Sequence, residues 1–247
     1  MDYSNSNVNP YRSPWGDLAA NAQVDERTDF IRKTYLHLLC AILAFAGLET
    51  ILMSSPTAVN AMNNMLMGGR GSAIVALIAF LGISWLANYW ALNSTSKGLQ
   101  YLGLSLYVVA EALIFMPILY FADKFYPGQQ IISTAGTITL VLFGGLTGYV
   151  LLSKKDFSFL GGFLTIGMFA VIGLALCSML FGFHLGMVYT VAVIGLACGY
   201  ILYDTSNVLH RYRIGQHVAA SLALFASVAL LFMYVLRLLM ELNGSRR

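Results

Sequence analysis

The sequence predicts an all-α membrane protein, a polytopic bundle of about seven transmembrane helices, and three observations carry that prediction. Of the 247 residues, 58% are hydrophobic and only 10% are charged, and the mean hydropathy is +0.73. Soluble chains, which must clothe their surface in polar groups, do not reach such values. Seven apolar runs, at 34–53, 72–92, 99–122, 131–152, 159–181, 186–209 and 218–240, are each long enough to cross about 30 Å of hydrocarbon at roughly 1.5 Å per helical residue. The basic residues, finally, sit mostly at the ends of these runs. Strands of an outer-membrane barrel are excluded, because they need about ten residues of alternating polarity and these runs are longer and do not alternate.

Taken in order, residues 1–28 (MDYSNSNVNPYRSPWGDLAANAQVDERT) are rich in Asn, Ser, Asp and Gly and read as a flexible polar cytoplasmic tail, with 29–247 as the seven-helix transmembrane domain. The first apolar run follows 33 mostly polar residues with no small-residue cleavage site behind it. It therefore reads as an internal signal-anchor rather than a removed signal peptide. A cytoplasmic N-terminus puts nine basic residues inside (Arg12, Arg27, Arg32, Lys33, Lys97, Lys154, Lys155, Arg211 and Arg213) against five outside (Arg70, Lys124, Arg237, Arg246 and Arg247), as the positive-inside rule favours. Making the last run re-entrant would improve that balance to twelve against two. Yet 218–240 is 23 residues without Gly or Pro, and a re-entrant backbone has to be sheltered by protein or water, so seven crossings are expected.

Several function classes are excluded. Cys40, Cys177 and Cys198 all lie within apolar runs, where a thiol acts as a small buried hydrophobe, and they form neither a disulfide framework nor a zinc spacing. A net charge of +3 without a basic, aromatic-interleaved stripe excludes nucleic acid as a partner. His37 and His184 are single imidazoles without a neighbour one turn away, so no metal is expected. Small residues at Gly144, Gly145 and Gly148, at Gly161 and Gly162, and at Gly195 and Gly199 are spaced for close helix packing. No internal repeat suggests an inverted-repeat transporter.

The informative residues are acids inside the spans, since each costs roughly 2.5 to 3.5 kcal/mol at the bilayer centre and faces protein or water. Asp204, in GYILYDTSNVLHRY, lies late in the sixth span with Asn207 and Arg211 on its helical face at i+3 and i+7. It either fixes the helix by pairing with Arg211, His210 or a hydroxyl, or works as a titratable gate or cation ligand. Glu111 lies in mid-span, where an interhelical hydrogen bond explains it as well as an ion-interacting role does. Glu49 sits near the outer end of the first span, as a snorkelling acid would. Pro117 is expected to kink the third span. A serine protease would need a Gly-x-Ser-Gly turn and an aspartyl one a second intramembrane aspartate; the sequence has neither, so no catalytic residue and no cofactor are predicted.

Three segments, DFIRKTYLHLLCAIL (29–43), SKKDFSFLGGFL (153–164) and ILYDTSNVLHRY (201–212), together with the final helix, resemble the Bax inhibitor-1 family, most closely its YccA-like branch. The similarity extends over nearly everything after residue 28. The resemblance implies a seven-helix bundle with a central last helix in the bacterial inner membrane, N-terminus in the cytoplasm. It also implies a partner, the membrane AAA protease FtsH, whose turnover of membrane proteins this branch modulates. In calcium-leak members an aspartate of the sixth helix pairs with one in the seventh as a pH-sensing latch. Here the first position matches Asp204, while the second, placed on LFASVALLF (224–232), is Ser227. A serine can hydrogen-bond Asp204 but cannot supply like-charge coupling. The expectation is thus an FtsH modulator, the alternative a pH-sensitive Ca2+, proton or other cation leak through Asp204 with Glu111, and the blandest reading a structural membrane protein.

Overall fold

The computed structural model describes residues 16–93 and 96–244. Its helices are α1 (Val24–Ser54), α2 (Pro56–Met67), α3 (Gly69–Asn93), α4 (Lys97–Phe125), α5 (Ile131–Ser153), α6 (Leu160–Phe181), α7 (Met187–His210) and α8 (His217–Gly244), with a 3-10 turn at Ile214–Gln216 before α8. Seven of them, all but α2, are long and apolar enough to cross a membrane. The exception has 12 residues, about 18 Å of helix, which is too short to span hydrocarbon. Its start is written locally: Pro56 occupies the first helical position and the Ala58 N–H donates to Ser55 Oγ at 3.4 Å, a proline-after-cap entry.

The last helix is the centre of the bundle. Of its most apolar window 67% is buried, against 56% for α4 and 6% for each of α3 and α6. It runs unbroken for 28 residues, about 42 Å, long and apolar enough to cross a membrane, as the seven-crossing expectation requires. Helices α7, α1, α5, α4 and α3 all pack on it. Aromatic rings lock the middle: Phe225 meets Phe45 and Tyr107 edge-on at 6.0 and 6.1 Å, and Phe115 stacks on Phe232 at 5.7 Å. Helix α4 passes through Pro117 without ending there.

The outside of the bundle is apolar, with Trp85, Phe163 and Phe169 about 70% exposed, as lipid permits and water does not. Cys40 and Cys177 share that outer surface and Cys198 is half-buried, so the thiols are not the buried groups the sequence suggests; hydrocarbon outside accommodates them as well as a core would. The glycine expectation is also corrected. A Cβ at Gly144, Gly145, Gly148, Gly162 or Gly195 would meet nothing within 4 Å, while Gly161 and Gly199 do face side chains. Close backbone approach occurs at Gly103, where a Cβ would stand 2.7 Å from the Ala87 carbonyl and force α3 from α4.

The described part of the segment expected as a tail, residues 16–28, is bonded or helical. Residues 1–15 lie outside the described residues, but from Gly16 the chain is tied to the α7–α8 connection. Leu18 and Arg213 form an antiparallel bridge, the Ala19 N–H donates to the Tyr212 carbonyl at 2.9 Å and the Ile214 N–H to the Asp17 carbonyl at 3.1 Å. Arg213 adds a guanidinium bond to the Gly16 carbonyl at 2.9 Å, and Ala19 is wholly buried. Helix α1 then begins at Val24. Polar composition alone hides this, because all of these ties but the Arg213 guanidinium bond are made by backbone groups that every sequence carries.

The turn between α5 and α6 docks on α7 at the same face. The Phe157 N–H donates to Ser206 Oγ at 2.8 Å, Ser206 Oγ donates to Asp156 Oδ1 at 3.3 Å, and the Ser158 N–H donates to the same Oδ1 at 2.8 Å. Arg211 reaches Ser158 Oγ at 2.7 Å. Bonds from the Ser158 backbone, then its hydroxyl, with Ser206 and His210 adding less, hold the Asp156 carboxyl below the ordinary aspartate value of 3.8. A depressed folded value means that this docking gains stability above the unfolded pKa and loses it as pH falls through the folded one. A carboxyl-carbon NMR titration of Asp156 is expected to give a midpoint below 3.8; a midpoint at or above that value contradicts the docking geometry.

Candidate functional site

Four consecutive polar residues, Asp204, Thr205, Ser206 and Asn207, are all buried near the end of α7. Successive residues of a helix point about 100° apart, so such a run cannot share one partner and must reach in several directions. Asp204 faces α8, Thr205 approaches Thr147 of α5 with hydroxyl oxygens 3.5 Å apart, and Ser206 holds the α5–α6 turn. The helix ends because the N–H groups of Arg211 and Tyr212 both donate to the Asn207 carbonyl, at 2.8 and 2.9 Å. The chain then turns through Ile214–Gln216 into α8, a connection tight enough to lay α8 against α7 along most of its length.

That hairpin brings Asp204 to Ser227. Ser227 Oγ donates to Asp204 Oδ2 at 2.5 Å, with the two residues only 8% and 4% exposed. A hydroxyl both donates and accepts, so the pair can stay bonded whether the carboxyl is ionised or protonated. Arg211 is not part of it. Helical spacing puts Arg211 on the Asp204 face, but the helix stops at His210 and the guanidinium turns out to Ser158; periodicity holds only while the helix lasts.

Beyond the pair lies a half-open cavity of about 550 Å³ walled by α3, α4, α6, α7 and α8. Asp204 and Ser227 line one side and Glu111 of α4 another. Glu111 is 5% exposed, and Tyr107, one turn earlier, donates its phenol to the carboxyl. The structure therefore brings together three of the four residues singled out in the sequence and leaves the fourth, Arg211, at the surface turn.

Tyrosines close the end of the cavity away from the start of α1. Tyr189 donates its hydroxyl to the Val171 carbonyl at 3.1 Å, and its oxygen lies 3.2 Å from that of Tyr234. Arg237 sits above, 5.7 Å from the Tyr189 ring, donating to Glu241 at 3.0 Å and to the Leu185 carbonyl at 2.8 Å, while Thr190 donates to Glu241 at 3.0 Å. These groups escape notice in the sequence, although a Tyr inside an apolar run, carrying a phenol that needs a partner, is a usable signal; so is the i, i+4 spacing of Tyr107 and Glu111.

Glu49 departs from expectation. It is 5% exposed with both carboxyl oxygens buried and no hydrogen-bond partner among the described residues, so it does not snorkel to an interface. It also lies outside the cavity lining. Among the described residues no three of His, Cys, Asp and Glu are grouped to hold a metal ion.

Comparison with known proteins places this architecture. Over 231 residues the chain is 28% identical to Protein lifeguard 4 of Mus musculus, covering 93% of this chain and 92% of the mouse protein. It is 30% identical over 223 residues to the BI1-like protein of Arabidopsis thaliana, covering 87% and 81% of the two chains. A membrane protein of Vibrio cholerae is 32% identical over 193 residues, covering 76% of this chain and 84% of its own. The family model described as Bax1-I, inhibitor of apoptosis-promoting Bax1, matches residues 27–244, which takes in every spanning helix and the Asp204–Ser227 pair: the chain belongs to the Bax inhibitor-1 family.

Proposed function

We propose that this chain is a membrane-embedded regulator of the YccA-like type, a multi-pass protein of the bacterial inner membrane with its N-terminus in the cytoplasm, which binds FtsH and tunes its turnover of membrane proteins. The observation that carries the preference is the partner of Asp204. A hydroxyl at 2.5 Å gives a staple between α7 and α8 that carries at most one charge, where a second carboxylate would give a charge-coupled latch. The resemblance supplies FtsH, and the fold is compatible with it. The described part of the N-terminal segment, from Gly16, is tied to the α7–α8 connection and leads into α1 at Val24, so a protease engaging that part would pull directly on the α7–α8 connection.

Affinity purification from native membranes in mild detergent, with an unrelated seven-helix protein as control, is expected to enrich FtsH. Deleting residues 1–15 is expected to change the turnover of this chain by that protease. Absence of FtsH both from the purified material and from crosslinked membranes contradicts the proposal.

A second reading is favoured by one specific observation, that Asp204 and Glu111 line the same cavity. As a cation leak of the Bax inhibitor-1 type, the protein would conduct protons or Ca2+ past these two acids, with no catalysis. That reading requires pH-dependent flux in liposomes that Asp204→Asn alters; the regulator reading requires flux equal to that of empty vesicles.

A further inference from the structure

We propose that the cavity between α3, α4, α6, α7 and α8 binds a lipophilic amine, which enters from the bilayer between α3 and α6 and sets its ammonium group between Glu111 and Asp204. The inference stands apart from FtsH binding and concerns an organic ligand rather than a conducted ion.

Size and walls come first. About 550 Å³ falls within the roughly 300–1,000 Å³ typical of small-molecule sites, which combine mostly apolar walls with a few convergent polar groups. Here Phe80, Phe115, Met168 and Leu230 belong to the walls, surfaces suited to an alkyl or aryl body. The polar groups are acids, phenols, Ser84, Ser227 and Asn88, and no Lys, Arg or His is among the described lining residues. Nearby Arg237 is committed to Glu241 and the Leu185 carbonyl. The Ser84 hydroxyl, also lining the cavity, is buried with no hydrogen-bond partner among the described residues and so is available to a ligand.

Charge alone would admit a metal ion, and the geometry argues against one. Calcium takes about six to eight oxygen ligands, while one Asp204 oxygen is held by Ser227 and Glu111 by Tyr107, and apolar walls cannot replace a hydration shell. An ammonium group needs only two or three acceptors and gains from aromatic faces such as Tyr107 and Phe115. Access follows from the packing. Helices α3 and α6 are the least buried spans and touch each other along only a short stretch, so the wall they share faces lipid and is lightly packed.

The test uses the full chain in nanodiscs with three probes of matched length, dodecylamine, dodecanol and dodecanoate. Saturable binding of the amine is expected, at least about tenfold tighter than of the alcohol or the carboxylate, the factor a charge-assisted hydrogen bond supplies. Glu111→Gln and Asp204→Asn are each expected to weaken it by about tenfold. Ala175→Trp, which fills the cavity from the peripheral α6, is expected to abolish it. Equal affinity for amine and alcohol, non-saturable uptake indistinguishable from empty nanodiscs, or amine binding unchanged in the tryptophan variant overturns the proposal. Should the acid variants fail to fold, the wild-type competition and Ala175→Trp decide it alone.

Discussion

Hydrocarbon offers no water to a polar group, so every polar side chain in the middle of this bundle has to be satisfied by protein. The hydrogen bond between Ser227 and Asp204 is where that constraint bears hardest. It joins the two helices that pack most extensively on each other, and one of them, α8, is the axis around which five others gather. If Asp204 were turned toward lipid it would carry α7 with it, and Thr205 and Ser206 would leave α5 and the α5–α6 turn. Position, rotation and docking of α7 are therefore one structural decision. A serine partner suits a permanent fastening, because it introduces no second charge into a low-dielectric site and can bond to either protonation state.

The same reasoning explains which features were legible in the sequence. Spans are set by length and hydropathy, quantities that need no tertiary information; six lie within a few residues of the apolar runs, while α1 starts ten residues before its run, at Val24. Asp204 and Glu111 stood out because ionisable residues are rare at that depth. Pairings were harder. Ser227 could be placed opposite Asp204 only through family resemblance, since nothing in the composition of α8 marks one serine among its neighbours. Periodicity misplaces Arg211 because α7 ends at His210, and it misplaces Glu49 because distance along a helix says nothing of what packs over it. Gly103 carries a close approach to the α3 backbone without a matching small residue at i±4, and most of the tail's ties to the α7–α8 connection run through backbone groups that composition does not reveal.

Seen together, the motif segments of this family have a common physical role. The tail at residues 16–22, the SKKDFSFLGG turn and the α7–α8 connection converge on the face where α1 begins, linked through Tyr212, Arg213, Ser206 and Arg211. The staple at Asp204 lies about 9 Å along α7 from that face, six residues before its end. On its other side is the acidic cavity. Under the proposed function, a partner pulling on the N-terminal segment and a ligand occupying the cavity would act on the same helix pair from opposite ends.

The measurement that bears most directly on this account is a double-mutant cycle on unfolding stability in detergent, using Asp204→Asn, Ser227→Ala and the pair. A direct bond that fastens α7 to α8 predicts a coupling of about 0.5–2 kcal/mol, in the range found for neighbouring polar groups in membrane bundles. Effects that add to within about 0.3 kcal/mol would mean that the two side chains do not hold each other, and the central place given to the staple would be wrong.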